Sequence, residues 1–299
     1  ARRPRLTPAM ADARRAVREC VQRHSSSVSG GAIFLVAVSG GADSLALAWA
    51  AAFELPRHGY RPTAVIVDHQ LQQGSDDVAQ TAKVVVEGFG LDVEIVRVSV
   101  SGDGGVENAA RQARHRALKT QANTHGAEGV MLAHTLDDQA ETVLLGLARG
   151  SGPQSLSGMA ELNGMWWRPF LGLRRHTTEQ VLRDIGVSWW VDPQNSDRNL
   201  LRPRVRHDVL PLLEEALGPG VPEALARTAG LLREDNDFLE GLAESAVAAV
   251  ANADGLSTEA LQELPPVIAS RVVRTVVTSV TGEALSHAHT TTVMTLVTA

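Results

Sequence analysis

The sequence predicts an α/β protein, a doubly wound and mainly parallel five-stranded sheet followed by a smaller all-helical C-terminal domain. Three observations carry this prediction. Short apolar runs recur at a spacing of roughly thirty residues with helical stretches between them, as in βαβ units. The runs are almost continuously apolar, as strands covered on both faces are. After Pro211 only helix-forming texture remains.

Residues 10–24 read as a helix with apolar positions at Ala13, Val17 and Val21, and Ser25 to Gly31 as a Ser/Gly linker. Ile33 to Val38 is the first strand, bounded by Ser39-Gly40-Gly41, and Leu45 to Phe53 its helix. Thr63 to Val67 is the second strand, ending at Asp68-His69. Val78 to Phe89 is the next helix, stopped by Gly90. Val93 to Val100 alternates as a third strand, Gly102 to Gly105 is a loop, and Val106 to His125 a long helix. Gly129 to Ala133 is the fourth strand, ending at His134-Thr135, and Asp137 to Arg149 its helix, with Gly150 as stop. Ser188 to Val191 reads as a fifth strand ending at Asp192-Pro193. From Val221 to Ala253 helix formers dominate, with Leu225, Ala229, Leu232 and Leu239 apolar. The helical pattern resumes from Leu261 after the break at Pro265-Pro266. The expected organisation is an N-terminal helix over 1–24, an α/β domain over 25–214 and a helical domain over 215–299. The basic start has no initial Met and reads as trimmed or vector-derived. The end, 293–299, carries no stop signal and reads as a cut within a longer architecture.

At 299 residues and 44% hydrophobic, the chain can bury a large core. No apolar run approaches membrane-spanning length, and the N-terminus lacks the apolar stretch of a signal peptide. Cys20 is the single cysteine. It excludes an intramolecular disulfide and any Cys-based zinc or iron–sulfur site, and it fits a reducing, cytoplasmic setting. Net charge is −6, which by itself does not suggest a nucleic-acid partner. Positive charge is nevertheless clustered, at Arg111/Arg114/Arg116, at Arg174/Arg175 and across Arg198/Arg202/Arg204/Arg206. These clusters read either as a bias of Arg over Lys or as local phosphate-binding faces on an acidic body.

In open α/β sheets, ligands bind at the carboxyl ends of the strands. Here those ends carry Ser39-Gly40-Gly41, Asp68-His69 and His134-Thr135-Leu136-Asp137-Asp138. The loop Ser39-Gly40-Gly41-Ala42-Asp43-Ser44 joins a buried strand to a helix. Its glycines let the backbone approach a ligand, and the helix start offers free N–H groups to an anion. It is neither a Walker A loop nor a dinucleotide fingerprint. Asp43 beside phosphates would repel them unless a divalent cation bridges the two. Plainer readings stand beside these. Thr135 and Asp138 form a Thr-x-x-Asp capping pair, Glu107 and Arg111 a solvated i, i+4 pair, and Asp68 a turn start.

The segment Ser-Gly-Gly-x-Asp-Ser after a strand resembles the loop of the ATP-pyrophosphatases, which cleave ATP between the α and β phosphates and adenylate a carbonyl-type oxygen. Further segments sharpen the resemblance: Val67-Asp68-His69, Glu107 to His115, His134 to Thr142, Arg149-Gly150-Ser151-Gly152, Ser157-Gly158-Met159, Arg168-Pro169-Phe170-Leu171 and Asp192-Pro193-Gln194-Asn195. Together and in this order they resemble the tRNA(Ile)-lysidine synthetases, over about residues 33 to 213. His115 stands where that family tends to carry an aromatic, and its Arg-Asn pair is either Arg202-Pro203 or Arg198-Asn199 here.

The resemblance implies a two-step ligation on the wobble cytidine of a CAU-anticodon isoleucine tRNA. ATP adenylates the base's carbonyl oxygen, and the ε-amine of free lysine then displaces AMP. It implies that Ser39, Gly40, Gly41, Asp43, Ser44, Asp68 and His69 bind ATP, with Mg²⁺ on Asp43. Asp43, His134, Asp137 and Asp138 would be catalytic, and Asp137 and Glu141 would hold lysine. Arg111, Arg114, Arg202 and Arg206 would contact tRNA phosphates. A homodimer is left open. A tRNA thiolation enzyme needs more cysteines than Cys20, and a non-catalytic nucleotide sensor has no use for acids at the strand ends.

Overall fold

The computed structural model describes residues 6–298 apart from 27, 71, 73, 101–105, 253–254 and 284, and apart from the side chains of 106, 107, 287 and 298. The expected loop Gly102 to Gly105 and the side chain of Glu107 lie outside the described residues. The chain divides into two compact units, one of residues 1–141 with 159–223, the other of 142–158 with 224–299.

In chain order the first unit contains α1 (Pro8–His24), β1 (Ile33–Val38), α2 (Ala42–Arg57), β2 (Arg61–Asp68), α3 (Ser75–Gly88), β3 (Asp92–Arg97), α4 (Val106–His125), β4 (Ala127–Met131) and the start of α5 (Leu136–Ala148). After the short helix α6 (Pro153–Leu156), which lies in the second unit, come β5 (Leu162–Asn163), β6 (Trp166–Trp167) and α7 (Arg175–Ile185). The run continues with α8 (Leu201–Arg204), a π-helical turn Val205–Val209 and α9 (Leu210–Leu217).

The sheet has six strands in the order β3-β2-β1-β4-β6-β5. All pairings are parallel except β5 with β6. The expected fifth strand at Ser188 to Val191 is corrected. That segment has no sheet pairing, and the strand beside β4 is Trp166–Trp167. The apolar texture of 188–191 reflects packing of Trp189 on the core rather than a ladder. Trp167 is buried in the core.

Strand β1 is central, so both of its faces are covered. Phe34, Val36 and Val38 join a core formed with α1, α2, α3 and α7, while Leu35 joins Leu118 and Ala122 of α4, Val65 and Val130 on the other face. This alternation is the period-2 geometry of a strand. Helix α1 is fully integrated. Thr7 caps it, and Met10, Ala13, Val17, Cys20 and Val21 are buried. Glu54 of α2 is buried and accepts from Arg14 Nε at 2.7 Å, which ties α1 to α2. The sheet order places a switch point between β1 and β4, where helices leave to different faces and a crevice opens at the strand ends.

The second unit holds most of α10 (Val221–Val250), a hairpin of β7 (Ala251–Asn252) with β8 (Gly255–Leu256), α11 (Thr258–Gln262), α12 (Pro266–Thr281) and α13 (His287–Thr298). Its core is Ala243, Val250, Leu261, Ile268, Ala269, Val272, Val273 and Val297. Within it Arg271 is buried and donates to Asn236 Oδ1 at 3.1 Å. Arg233 donates to Gly158 O at 2.8 Å.

One glycine limits the sheet sterically. A Cβ on Gly129 of β4 would lie 2.4 Å from Trp167 Nε1 and 3.2 Å from Phe34 Cε1. Gly129→Ala should therefore overpack the sheet and cost about 1–3 kcal/mol, read as a lowered midpoint in urea unfolding. An unchanged midpoint would show that Trp167 has room to move aside.

Candidate active site at the carboxyl ends of β1 and β4

The loop after β1 is held by its own side chains. Ser44 Oγ donates to Gly41 O at 2.9 Å, accepts from Ser39 N at 3.1 Å and lies 3.2 Å from Ser39 Oγ. Gly40 sits at φ +83°, a left-handed conformation that residues with a Cβ rarely adopt. Trp190 N donates to Gly40 O at 3.0 Å, so the 188–191 segment braces the loop instead of extending the sheet. Gly41 is the N-cap of α2 and makes no side-chain cap, so the helix start leaves backbone N–H groups of the kind that bind anions.

Asp43 lies in the first turn of α2. Thr178 Oγ1 donates to its Oδ1, and Arg175 Nε donates to its Oδ2 at 3.2 Å. Burial pushes the Asp43 carboxyl up from its ordinary value, while Arg175 and Thr178 pull it back down. Arg175 reaches further, to Asp138 Oδ1 at 2.6 Å and Glu141 Oε1 at 3.6 Å. Burial disfavours its charge, but Asp138, Asp43 and Glu141 outweigh that and hold the guanidinium above its usual range.

Glu141 is fully buried. Arg206 grips it with two hydrogen bonds, Nε to Oε1 at 2.6 Å and Nη2 to Oε2 at 3.1 Å, and also reaches Asp138 Oδ1 at 3.4 Å. Arg202 Nη1 lies 3.9 Å from Glu141 Oε2. Asp138 also works locally. Its Oδ2 accepts from Thr135 N at 2.8 Å and from Thr135 Oγ1 at 2.9 Å, and the Thr135 hydroxyl accepts from Asp138 N at 3.4 Å. The expected capping pair at the start of α5 is present. Burial would raise the Asp138 carboxyl, but Arg175, the Thr135 N–H and Arg206 hold it below its ordinary value. Asp137 points to α7 instead, accepting from Arg175 N at 2.7 Å and Arg174 Nε at 3.2 Å. Arg174 Nη1 also donates to Glu223 Oε1 at 2.7 Å.

The neighbouring strand ends add two histidines and a carboxylate. Asp68 is buried, with Oδ1 accepting from Gln70 N at 3.0 Å, which is the expected turn. Asp68 Oδ2, His69 Nδ1 and His134 Nδ1 are buried with no hydrogen-bond partner among the described residues. Burial, with Arg168, Arg114 and Arg111 nearby, drives the His134 imidazolium well below its usual value, against the pull of Asp138. Burial and Arg114 lower His69. The same crowding touches the arginines, since burial, Arg111 and Arg202 together depress Arg114. Three of the four arginines expected at tRNA therefore lie within electrostatic reach of one another. Arg206, the fourth, is engaged with Glu141.

Arg174, Arg175 and Thr178 of α7 had no expected role. A signal for them was present, because a helix that begins on two cations opposes its own dipole and needs acidic partners. Among the described residues no group of three or more His, Cys, Asp or Glu is arranged to hold a metal. Magnesium needs only one or two protein carboxylates when phosphates and water complete its shell. Asp43 and Asp138, bridged here by Arg175, are the carboxylates that would take part in such a shell.

A model of the PP-loop domain matches residues 12–213, and fold and site together define a PP-loop enzyme. The chain is 52% identical over 273 residues to a tRNA(Ile)-lysidine synthase of Leifsonia xyli subsp. xyli, covering 89% of this chain and 82% of the relative. It is 48% identical over 260 residues to that of Thermobifida fusca, covering 86% and 80%. It thus belongs to the tRNA(Ile)-lysidine synthase family. The U34-tRNA thiolase NcsA of Methanococcus maripaludis shares the fold, with a TM-score of 0.63, 18% identity and coverage of 75% of this chain and 80% of that one.

The histidine environment yields a pH test. The folded His134 resists protonation while the unfolded residue titrates near 6.5. Below that value the unfolded state binds the extra proton, so His134 contributes nothing above about pH 6.5 and lowers stability as pH falls further. His134→Gln should flatten the stability loss between pH 6.5 and 4.5, measured by urea unfolding. In long-range ¹H–¹⁵N spectra the wild-type ring should stay neutral at pH 5; a protonated ring there would contradict the assigned environment.

Proposed function

We propose that this chain is a cytoplasmic carbon–nitrogen ligase that joins free L-lysine to the wobble cytidine of the CAU-anticodon isoleucine tRNA, changing its codon from AUG to AUA. The observation that carries this reading is the cluster in which one guanidinium, Arg175, spans Asp43 of the phosphate loop and Asp138 and Glu141 of α5. Groups suited to a polyphosphate and groups suited to a cationic nucleophile thus meet within the reach of one side chain. The family membership supports the substrate, a tRNA, and the loop supports ATP.

In the first step the base's carbonyl oxygen bonds to the α-phosphorus while the bond to the β-phosphate oxygen breaks and pyrophosphate leaves. The loop N–H groups and the Ser39 and Ser44 hydroxyls bind the phosphates. Mg²⁺, when bound, supplies positive charge for the leaving pyrophosphate, and Asp43, with Asp138 beside it, is the residue that would hold it. Lysine's ε-ammonium requires a buried anion. Glu141 suits this best, because Asp137 is committed to the start of α7. In the second step the ammonium loses a proton, the amine attacks the activated carbonyl carbon, and AMP departs with the oxygen. The candidate acceptors for the proton are His134, whose Nδ1 is buried without a partner among the described residues, and the neighbouring carboxylates; the burial that keeps the His134 ring neutral also weakens it as a base. Arg111, Arg114 and Arg202 form the face proposed for tRNA phosphates.

A sulfur-transfer reading finds no support. Cys20 is buried in the α1 core, and burial with Glu161 pushes its thiol far up, away from the reactive thiolate.

Turnover should release AMP and pyrophosphate. Formation of ADP would rule the reading out, and nucleoside mass spectrometry of the tRNA should show the lysine adduct. Asp43→Asn should remove most activity with the fold intact by circular dichroism. Glu141→Gln should raise the KM for lysine by about tenfold or more, as loss of a charged partner to an ammonium does, with the KM for ATP little changed. Equal effects on both would place Glu141 in the nucleotide site.

A further inference from the structure

The carboxylate best suited to lysine is already filled. Glu141 is 0% exposed and both of its oxygens accept from Arg206, which is 22% exposed. Arg175 and Arg202 stand at 3.6 and 3.9 Å from the same carboxylate. A substrate ammonium cannot take this place while Arg206 holds it. Parting the pair leaves the buried Glu141 carboxylate without its two hydrogen bonds. The exchange therefore needs a cation for Glu141, and an anion that receives the partly exposed Arg206 favours it.

Arg206 also stands on unusual backbone. It belongs to the π-helical turn Val205–Val209, where Leu210 N–H bonds back to Val205 O, five residues away. Such turns occur mostly as single insertions in α-helices, often at functional sites. The anion is suggested by the surroundings. Arg202 lies one helical turn before Arg206, and Arg114 lies within electrostatic reach of both Arg202 and Arg111. Guanidiniums crowded in this way gain from a phosphate, which accepts the bidentate bonds that Arg206 gives to Glu141.

We infer that Arg206 is a resident substitute for the lysine ammonium, and that a phosphate oxyanion draws it off Glu141 so that lysine can enter. This rests on the reading of Glu141 as the lysine carboxylate. Arg206 thereby acts as a specificity device: amines are excluded until a phosphate-bearing substrate is in place. The coupling is reciprocal, so lysine must strengthen binding of that substrate by the same factor. The phosphate comes either from the nucleotide or from the RNA backbone.

The test is calorimetric titration of L-lysine into the intact protein in three states: alone, with α,β-methylene ATP and Mg²⁺, and with a CAU-anticodon isoleucine tRNA transcript. Lysine should bind roughly tenfold more tightly or better in at least one anion-bearing state than in the protein alone, within the usual range of coupling between sites. Whichever state shows the gain identifies the phosphate source. Arg206→Met should bind lysine more tightly than wild type in the protein alone, and the gain from the anion should shrink. Equal lysine affinity in all three wild-type states would overturn the inference. So would loss of lysine binding by Arg206→Met in every state, which would make Arg206 part of the lysine site. The wild-type comparison decides the matter even if the variant does not fold. Glu141→Gln separates the underlying reading, because unchanged lysine affinity in that variant would remove Glu141 as the lysine carboxylate.

Discussion

Four carboxylates gather at one end of a mainly parallel sheet, Glu141 fully buried and Asp43, Asp137 and Asp138 partly so, and arginines meet all four. Asp43, Asp137, Asp138 and Glu141 come from the starts of α2 and α5, while Arg174, Arg175, Arg202 and Arg206 come from α7 and the helical run after it. An unpaired buried carboxylate would be neutralised or would destabilise the fold. In this charge balance Asp137 takes up the Arg175 N–H at the start of α7, and Arg206 on the π-helical turn meets Glu141 of α5.

The same balance explains how this end of the sheet can serve both an anion and a cation. A phosphate loop made only of glycines and serines would attract polyphosphate and repel nothing. A carboxylate within it admits a cation alongside. Arg175 pairs with Asp43, and the first N–H groups of α2 carry no side-chain cap. In the proposed reaction a triply charged leaving group and a positively charged nucleophile must be handled a few ångströms apart. Exchangeable ion pairs suit that task better than a neutral pocket, because each incoming charge finds an opposite one to pair with.

The second unit has a core of its own, built from α10, α11, α12 and α13, with Arg271 hydrogen-bonded inside it to Asn236 and ion-paired with Glu240. Its helices follow the pattern of spaced apolar positions, and Leu239 packs against that core as its periodicity requires. Membership of the tRNA(Ile)-lysidine synthase family rests on relatives aligned over most of this chain, not on the loop alone.

Much of the sheet was legible in the residues. The continuous apolar run Ile33 to Val38 could only be a strand covered on both faces, and glycines at its end marked a turn that needs positive φ. The strand ends Asp68-His69 and His134-Thr135 were legible too, because polar residues at those places serve no packing purpose. The Thr135–Asp138 pair followed from its spacing alone. Ser188 to Val191 is not a strand because a short apolar run reports packing, not the partner it packs against. The two-residue strand Trp166–Trp167 is too short to show any period. Composition placed acids and arginines near one another in kind but could not pair them, since Arg206 and Glu141 are 65 residues apart. Which carboxylate meets which guanidinium is a matter of long-range geometry. Local sequence set the loop, the strands and the residue types, whereas the pairing of charges at the strand ends came from tertiary packing, because Coulomb energy depends on distance in space and not along the chain.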